Sequence, residues 1–442
     1  MANSSRWYKL DNAAKIVPSQ AHGADTRVFR LTAVLKEDVN KELLEQALQE
    51  VAPEFPIFNV VLKKGIFWYY LEDSEIVPVV SEEGEYPLEA IYYPGKRNLL
   101  YRVNYYRNRI NLEVFHVLSD GTGAFMFLKH IVARYLEIRY SLDSVHFDDD
   151  VSSMQENSTD DFDTFYEKSA SLEQLKNMES SRAWQLNEEK DPNLRCHLLE
   201  GVISAKKFLA KAKEYGTTVG VLCVALYIEA AIKRMTVRQK KRPIVVSVPV
   251  NLRQFYNSFT ARNFFSVINI TYDATEYNGS LDSIISVVKN EFEGQLSREK
   301  INENMNSYAA LEHNIAVKMI PLFIKDIGIS LFSMFATRGV TCTMSNLGKI
   351  EMPEELREYI DYFSAFMAAP SEQICVSTFG DRMVFGEVSP YVTHGVMMNF
   401  FRAITDMGIE VEISTNDFDI RDVDGGAGDK KKETEHKEGS GK

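Results

Sequence analysis

The segment that carries the clearest chemistry is residues 116–121, which reads HVLSDG and places a histidine four residues before an Asp-Gly pair. Apolar and polar residues alternate through residues 110–115, which is typical of a strand, and helical spacing follows Gly121. His116 is therefore predicted to lie where a strand ends and a helix begins. An imidazole titrates near neutrality and can accept a proton from a hydroxyl or amine as a general base. The alternative is an inert, hydrogen-bonded histidine at a strand end.

Asp120 has two interpretations that are compatible with each other. It can be the N-cap of the helix that follows, with Gly121 tolerating the tight entry. It can also hold the short loop after His116 through a buried ion pair, since losing one partner of such a pair is costly. The best candidate partner is Arg253, which follows an apolar run and Asn251 in the segment VPVNLR. Taken alone, Arg253 would be interpreted as a surface arginine.

A third element is the segment TMSNLG at residues 343–348. A strand that ends in Ser345-Asn346 before a glycine turn can direct a hydroxyl or an amide at a developing oxyanion. The alternative is an ordinary turn, because a Ser-Asn-x-Gly sequence is weak evidence by itself.

Together these three motifs resemble the CoA-dependent acyltransferase superfamily. That superfamily includes chloramphenicol acetyltransferase, plant alcohol acyltransferases, wax ester synthases and the condensation domains of nonribosomal peptide synthetases. The opening YKLDNAA at residues 8–14 and the closing helix–strand pattern are similar to bacterial alcohol acetyltransferase-type members. The resemblance covers roughly residues 6–415.

The resemblance implies an α/β fold of two chloramphenicol-acetyltransferase-like halves. Each half has a mixed sheet with helices, and an active-site tunnel lies at their interface. His116 would be the general base that moves an acyl group, acetyl above all, from acyl-CoA to an alcohol or amine, including a lipid alcohol. Acyl-CoA would be a co-substrate, with no permanently bound cofactor and no metal. The implied residues are His116, Asp120 and Gly121 for catalysis, Arg253 and Asn251 for the ion pair and tunnel, and Ser345 and Asn346 as oxyanion or tunnel candidates.

The chain departs from one common pattern of these proteins at Phe115. Many condensation domains and wax synthases have two adjacent histidines, of which the second is catalytic, whereas Phe115 occupies the first position here. This change weakens a peptide-bond-forming assignment. Two alternatives stay open: a condensation-like enzyme whose acyl donor is bound to a carrier protein, and a non-catalytic binding module with the same fold.

Length and charge restrict the remaining possibilities. A chain of 442 residues is expected to form two domains. We predict an N-terminal half at residues 1–150, an acidic connecting segment at 151–200, a C-terminal half at 201–420 and a disordered tail at 421–442. The net charge of −13 excludes a nucleic-acid partner, which would require a basic surface.

Hydropathy and cysteine content favour a cytoplasmic protein without a transmembrane segment. The most apolar region, residues 315–337, is interrupted by Lys318, Pro321, Lys325 and Asp326, so we expect a buried or half-buried helix pair rather than membrane attachment. The N-terminus has no apolar run of signal-peptide length. The four cysteines are widely spaced, which supports neither a disulfide framework nor a metal site.

Overall fold

The computed structural model describes residues 6–23, 25–147, 182–256, 258, 260–313 and 319–416. Within these ranges the chain forms a five-stranded sheet, a seven-stranded sheet and a small three-stranded sheet. The strands are β1 (Trp7–Lys9), β2 (Val28–Leu35), β3 (Val60–Lys64), β4 (Tyr69–Asp73), β5 (Val80–Glu82), β6 (Tyr101–Tyr106), β7 (Arg109–Phe115), β8 (His197–Ser204), β9 (Ile244–Asn251), β10 (Phe265–Tyr272), β11 (Cys342–Lys349), β12 (Ile360–Met367), β13 (Gln373–Phe379), β14 (Arg382–Ser389) and β15 (Glu412–Thr415).

Helices are interspersed among these strands. They are α1 (Val17–Gln20), α2 (Lys41–Val51), α3 (Gly121–Tyr140), α4 (Ala205–Glu214), α5 (Val219–Ile232), α6 (Arg253–Tyr256), α7 (Leu281–Gln295), α8 (Arg298–His313), α9 (Leu322–Thr337) and α10 (Gly395–Asp406).

The N-terminal lobe is built on the sheet with strand order β12-β2-β7-β6-β5. β6 and β7 form a hairpin in which β7 contains the strand predicted at residues 110–115, and Arg107 at its turn adopts a positive φ of 50°. α3 packs on β2 and against α2, and its Phe127, Leu128 and Ile131 are fully buried. Because β7 leads directly to the loop before α3, the central strand of this lobe ends beside His116 and its central helix begins there.

The C-terminal lobe is built on the sheet with strand order β10-β9-β11-β13-β14-β8-β15. Its strands mix directions, since β11 runs parallel to β9 and β13 whereas β10 is antiparallel to β9. α5 lies at the centre of a second hydrophobic core and contacts α7 and α10. The two cores are separate clusters, which gives the molecule its two lobes.

The two lobes are joined by a strand that crosses between them. β12 follows the C-terminal lobe's β11 in sequence but pairs with β2 of the N-terminal sheet. Its Ala365 lies so close to β14 that a Cβ atom on Gly386 would be 2.1 Å from the Ala365 carbonyl oxygen. The two halves predicted from the sequence do not include a strand that crosses between them. The domain boundaries given there stay a prediction. Residues 151–181 of the predicted connecting segment and all of 421–442 lie outside the described residues.

The expectation of a buried or half-buried helix pair at residues 315–337 is met only in part by α9, because one side of the helix lies on the protein but that side is not the apolar one. Its Phe323 and Phe332 side chains are 61% and 65% exposed, whereas Lys325 is buried. Hydropathy gives the composition of a helix but not the side that faces the protein, and here the inward side is the polar one. Residues 314–318 lie outside the described part of the chain.

Across the described residues, no helix by itself has the length and hydrophobicity needed to cross a bilayer. α4 and α5 meet those requirements only when taken together, and they are bent by 83° where they meet.

Candidate active site

His116 lies in the loop that leaves β7, at the boundary between the two lobes. Its backbone N–H donates to the carbonyl of Arg27 at 2.9 Å, which fixes the main chain at the end of the strand. The imidazole is half-buried and contacts Phe29 of the N-terminal lobe and Phe265 of the C-terminal lobe, with ring centroids at 5.1 and 5.8 Å. The ring therefore has an apolar wall on each side.

Asn263 determines which nitrogen of this imidazole carries the proton. The Asn263 Nδ2 group donates to Asp11 Oδ2 at 3.1 Å and to the His116 carbonyl at 3.2 Å. These two acceptors fix the orientation of the amide, so its Oδ1 faces His116 Nδ1 at 3.0 Å and must accept a proton from it. The neutral ring is then the Nδ1–H tautomer, and Nε2 has the free lone pair that a general base requires.

Burial lowers the pKa of the His116 imidazole below its ordinary value. Hydrogen bonding of the ring to the carbonyl of its own residue and to Asn263, together with the charge of Asp120, opposes this decrease. The decrease prevails, so the ring is neutral at pH 7 and its Nε2 can accept a proton.

Asp120 serves both as a helix cap and as the centre of an ion pair. Its Oδ1 accepts from the backbone N–H of Gly123 at 3.1 Å, as the N-cap of α3 does. Its Oδ2 accepts from the backbone N–H of Phe264 at 3.0 Å, which attaches the start of β10 to the other lobe. Both oxygens also accept from Arg253, at 2.8 and 3.1 Å. The structure thus brings together the two residues that the sequence pairs.

Arg253 has a hydrogen-bond acceptor for each of its five guanidinium N–H groups. Besides the two bonds to Asp120, it donates to Asn251 Oδ1 at 3.2 Å and to the carbonyls of Thr260 and Arg262. The Arg253 and Asp120 side chains are only 10% and 9% exposed. Asn251 Oδ1 also accepts from the Arg253 backbone N–H at 3.0 Å, so Asn251 orients the arginine. The planar arginine side chain has five N–H donors for these five acceptors, whereas a lysine would have only three.

The guanidinium therefore holds residues 260–264 in place, and Asn263 lies within them. Gly123 permits the close approach of this segment, because a Cβ atom there would be 2.0 Å from the Ala261 carbonyl oxygen. The Ser119 hydroxyl donates to the same carbonyl. The consequence is a chain of contacts that runs from the Asp120–Arg253 pair to Asn263 and from Asn263 to His116.

The two oxyanion candidates lie differently on β11. The Asn346 side chain is exposed, and its Oδ1 accepts from the backbone N–H of Gly348 at 2.9 Å, so it stabilises its own turn. Ser345 is half-buried and is the cross-strand partner of Cys375 on β13, whose side chain belongs to the hydrophobic core of the N-terminal lobe. Ser345 therefore lies on the face of β11 that looks toward the N-terminal lobe. Leu347 reaches the start of α3, where a Cβ atom on Gly121 would be 2.7 Å from Leu347 Cδ2.

Sequence reasoning missed Asn263, Asp11 and Gly123. Asn263 precedes β10 without any periodic pattern or motif that would mark it as functional, and its role depends on how residues 260–264 fold. Gly123 has a local signal, since it is the second glycine of the DGTG segment after the histidine. Among the described residues, no group of three or more His, Cys, Asp or Glu side chains is placed to hold a metal ion.

No protein-family model matches the chain, and no curated protein matches it in sequence. Its structure, however, is similar to solved structures over most of its length. TRI3 trichothecene 15-O-acetyltransferase from Fusarium sporotrichioides superimposes with a TM-score of 0.63 at 9% identity, covering 92% of this chain and 95% of that one. TRI101 from F. graminearum, in a complex with coenzyme A and T-2 mycotoxin, gives a TM-score of 0.62 at 10% identity, covering 92% and 99% of the two chains.

A condensation domain gives the same degree of similarity. The first condensation domain of the CDA synthetase superimposes with a TM-score of 0.62 at 12% identity, covering 92% of this chain and 97% of that one. At these identities the likeness concerns the fold. The chain therefore has the two-lobed, chloramphenicol-acetyltransferase-like fold that CoA-dependent acyltransferases share with condensation domains.

Proposed function

We propose that this protein is an acyltransferase that moves an acyl group from the thioester of acyl-CoA to an alcohol or amine. The observation that carries the proposal is the arrangement of the His116 imidazole. Asn263 holds its Nδ1–H, so that Nε2 is the basic nitrogen, and the ring lies between the two lobes. The acyltransferase fold and the coenzyme A bound in the TRI101 structures agree with this assignment.

The reaction is a direct transfer. His116 Nε2 accepts the proton of the acceptor hydroxyl or amine while the acceptor's oxygen or nitrogen attacks the thioester carbonyl carbon. The resulting tetrahedral intermediate has a negatively charged oxygen. When the carbonyl re-forms, the carbon–sulfur bond breaks and the imidazolium returns its proton to the leaving CoA thiolate. The products are the ester or amide and free CoA thiol.

Ser345 is the residue we assign to the oxyanion. It lies on the β11 face that looks toward the N-terminal lobe, whereas the Asn346 side chain is exposed and its Oδ1 is used by its own turn. A hydroxyl donor that is already oriented toward developing charge stabilises the transition state more than the ground state. Asp120, Arg253 and Asn251 act through the placement of residues 260–264 and not through contact with the substrate.

We assign the meeting point of the donor and the acceptor to the boundary between the lobes, where the His116 imidazole lies. Phe115, which stands where condensation domains often have a first histidine, is fully buried and stacks on Tyr92 at a centroid distance of 5.4 Å. It thus belongs to the core of the N-terminal lobe. The absence of a first histidine weakens a peptide-bond-forming assignment, and thiol release from CoA and carrier-protein donors decides between the two donors.

The test follows the release of free thiol from acetyl-CoA and longer acyl-CoAs in the presence of a panel of alcohols and amines. We expect release that depends on the acceptor and that the His116→Ala variant loses by a factor of about 100 or more. The matched control is His146→Ala, which removes an exposed histidine of the same lobe and leaves the rate unchanged.

Three results would contradict the proposal. Turnover that His116→Ala retains would remove the histidine from the mechanism. Release only from acyl groups on carrier-protein phosphopantetheine would replace CoA as the donor. No release from either donor type with the folded wild-type protein would favour a binding module with this fold.

A further inference from the structure

α9 is amphipathic, but its polar side faces the protein. The Asp326 carboxylate accepts from Ser19 Oγ at 2.7 Å and from Lys64 Nζ and Tyr69 OH at 3.1 Å each. Lys325 Nζ donates to the carbonyl of Phe67 at 3.1 Å. The two charged side chains of this helix are thus both used to attach it to the N-terminal lobe.

Two further contacts complete this attachment. The backbone N–H of Leu322 donates to the carbonyl of Ile66 at 2.9 Å, and Ser330 Oγ lies 3.3 Å from His22 Nε2. The N-terminal lobe therefore binds one side of α9 through polar groups. The opposite side of the helix has no charged residue.

That opposite side is a broad apolar surface. At 3.6 residues per turn its exposed side chains cover about 180° of the helix circumference. The chief contributors, each about half exposed or more, are Phe323, Ile324, Ile327, Leu331, Phe332 and Phe335. We call this surface the α9 face. A helix that packs on another helix or on a core buries a narrower stripe, whereas a helix half-immersed in a lipid interface has an apolar sector of this width.

The α9 face continues onto the neighbouring hairpin. The turn between β3 and β4 carries Ile66, which is 78% exposed, and Phe67, which is 40% exposed. Ile16, at the start of α1, is also exposed and lies on the segment that α9 contacts. Exposed apolar area from three separate segments therefore meets at one end of the N-terminal lobe, and such contiguous patches mark interaction sites.

A cavity beside α9 is lined by residue types that are common at a membrane–water interface. Its volume is about 620 Å³, and its lining includes Trp7, Trp68, Lys9 and Lys15 but no carboxylate. Lys325 of α9 lies over the Trp68 ring at 3.4 Å, which joins the cavity to the helix. Tryptophan and lysine are the side chains that anchor proteins at the level of lipid headgroups. In a protein of net charge −13, a cavity with lysines and without acids is complementary to phosphate.

We infer that the α9 face and the adjoining hairpin tip dock the protein on a phospholipid bilayer surface. The apolar side chains enter the acyl region, and the lysine–tryptophan cavity lies at the headgroups. A second copy of the chain fits less well as the partner, because the rounded apolar side of α9 would need a matching groove on that copy to be buried. This inference rests on the exposed apolar surface and the adjoining cavity, and it does not depend on the proposed acyl transfer.

The test is flotation of the full chain with vesicles of phosphatidylcholine and phosphatidylglycerol. The variant Ile327→Gln with Leu331→Gln removes two apolar side chains from the centre of the α9 face without changing charge. We expect its vesicle-bound fraction to fall about tenfold or more, because two aliphatic side chains no longer transfer from water into lipid. The matched control, Leu209→Gln with Met398→Gln, changes similarly exposed residues on α4 and α10 and retains binding.

Tryptophan fluorescence provides a second readout. The chain has three tryptophans, of which Trp184 is only 3% exposed, so a blue shift on adding vesicles reports Trp7 and Trp68. Brominated lipids should quench the same emission. Lys9→Gln should weaken binding to phosphatidylglycerol-containing vesicles more than to pure phosphatidylcholine.

The inference fails if the folded wild-type chain does not float with vesicles, or if the α9-face variant floats as well as the control. It also fails if light scattering shows a dimer that the α9-face variant dissociates while no vesicle binding occurs. In that case the surface joins two copies of the chain. Circular dichroism and melting of each variant establish that the fold is retained.

Discussion

Two junctions between the lobes are each built on an arginine–carboxylate pair, but they differ in what surrounds the pair. At the first, Arg253 meets Asp120 and also donates to the carbonyls of residues 260–264. At the second, Arg109 of β7 meets Glu200 of β8 at 2.8 and 3.1 Å, and Tyr362 OH donates to Glu200 at 2.8 Å. The first pair organises a loop, whereas the second joins regular strands.

Buried apolar side chains support both junctions, but they differ in origin. At the first, Leu252 and Phe264 pack with Ile301 and Met305, whereas the cluster at the second comes from strands of both large sheets. Val34, Val202, Tyr362 and Val384 form this small buried cluster beside the Arg109–Glu200 pair.

Residues 260–264 belong to no strand or helix. Apart from the backbone hydrogen bond from Leu252 N–H to the Phe264 carbonyl, their conformation depends largely on side-chain donors and acceptors. The same kind of ion pair should therefore control activity at the first junction and only stability at the second.

The largest effect is expected from removing the carboxylates. Asp120→Ala leaves Arg253 buried without its charge partner, so the free energy of unfolding should fall by roughly 3–5 kcal/mol and turnover should be lost. Glu200→Ala should also destabilise the protein, since Glu200 is buried, but the folded fraction should keep its kcat/KM. Thermal melting and thiol release measured on both variants test the contrast. Loss of kcat/KM in folded Glu200→Ala would mean that the junctions do not differ.

Arginine-to-lysine exchanges keep the charge and remove the fork of donors. Arg253→Lys has three donors for five acceptors, so residues 260–264 should shift and kcat should fall about a hundredfold. Arg109→Lys should change kcat by no more than about twofold, because its partners hold no catalytic segment. Steady-state kinetics of the two variants decide this, and equal losses would contradict the comparison.

Asn263 links the first junction to the imidazole, and its removal should have a smaller effect. Asn263→Ala allows both tautomers of His116, so kcat should fall about tenfold while KM for acyl-CoA changes little. The acid limb of the kcat/KM profile should also move to lower pH, since the amide oxygen stabilises the protonated ring. A purely structural role would change the melting temperature and KM without moving that limb.

The sequence was sufficient for features that local patterns determine. The strand at residues 110–115 and α3 follow from periodicity. The Asp120–Arg253 contact is predicted because the motifs HxxxDG and VPVNLR occur together in the proteins that the chain resembles. Asn263 and the exchange of β12 could not be predicted, because both depend on which distant segments meet after folding. α9 could not be placed either, since an apolar helix of this composition fits a core as well as a lipid surface.

Acidification should separate the two junctions without any mutation. Burial lowers the pKa of His116, so activity is complete above about pH 6.5 and is lost as the pH falls through the lower pKa of the folded protein. At Glu200, burial raises the pKa but the hydrogen bonds and charge of Arg109 lower it further, so the net pKa lies below its ordinary value. The stability that Glu200 contributes is therefore present above its unfolded pKa and is lost only as the pH falls through the folded one. We expect kcat/KM to decline at a pH where the melting temperature is still largely retained, and coincident loss of both would show that the site and the second junction titrate as one unit.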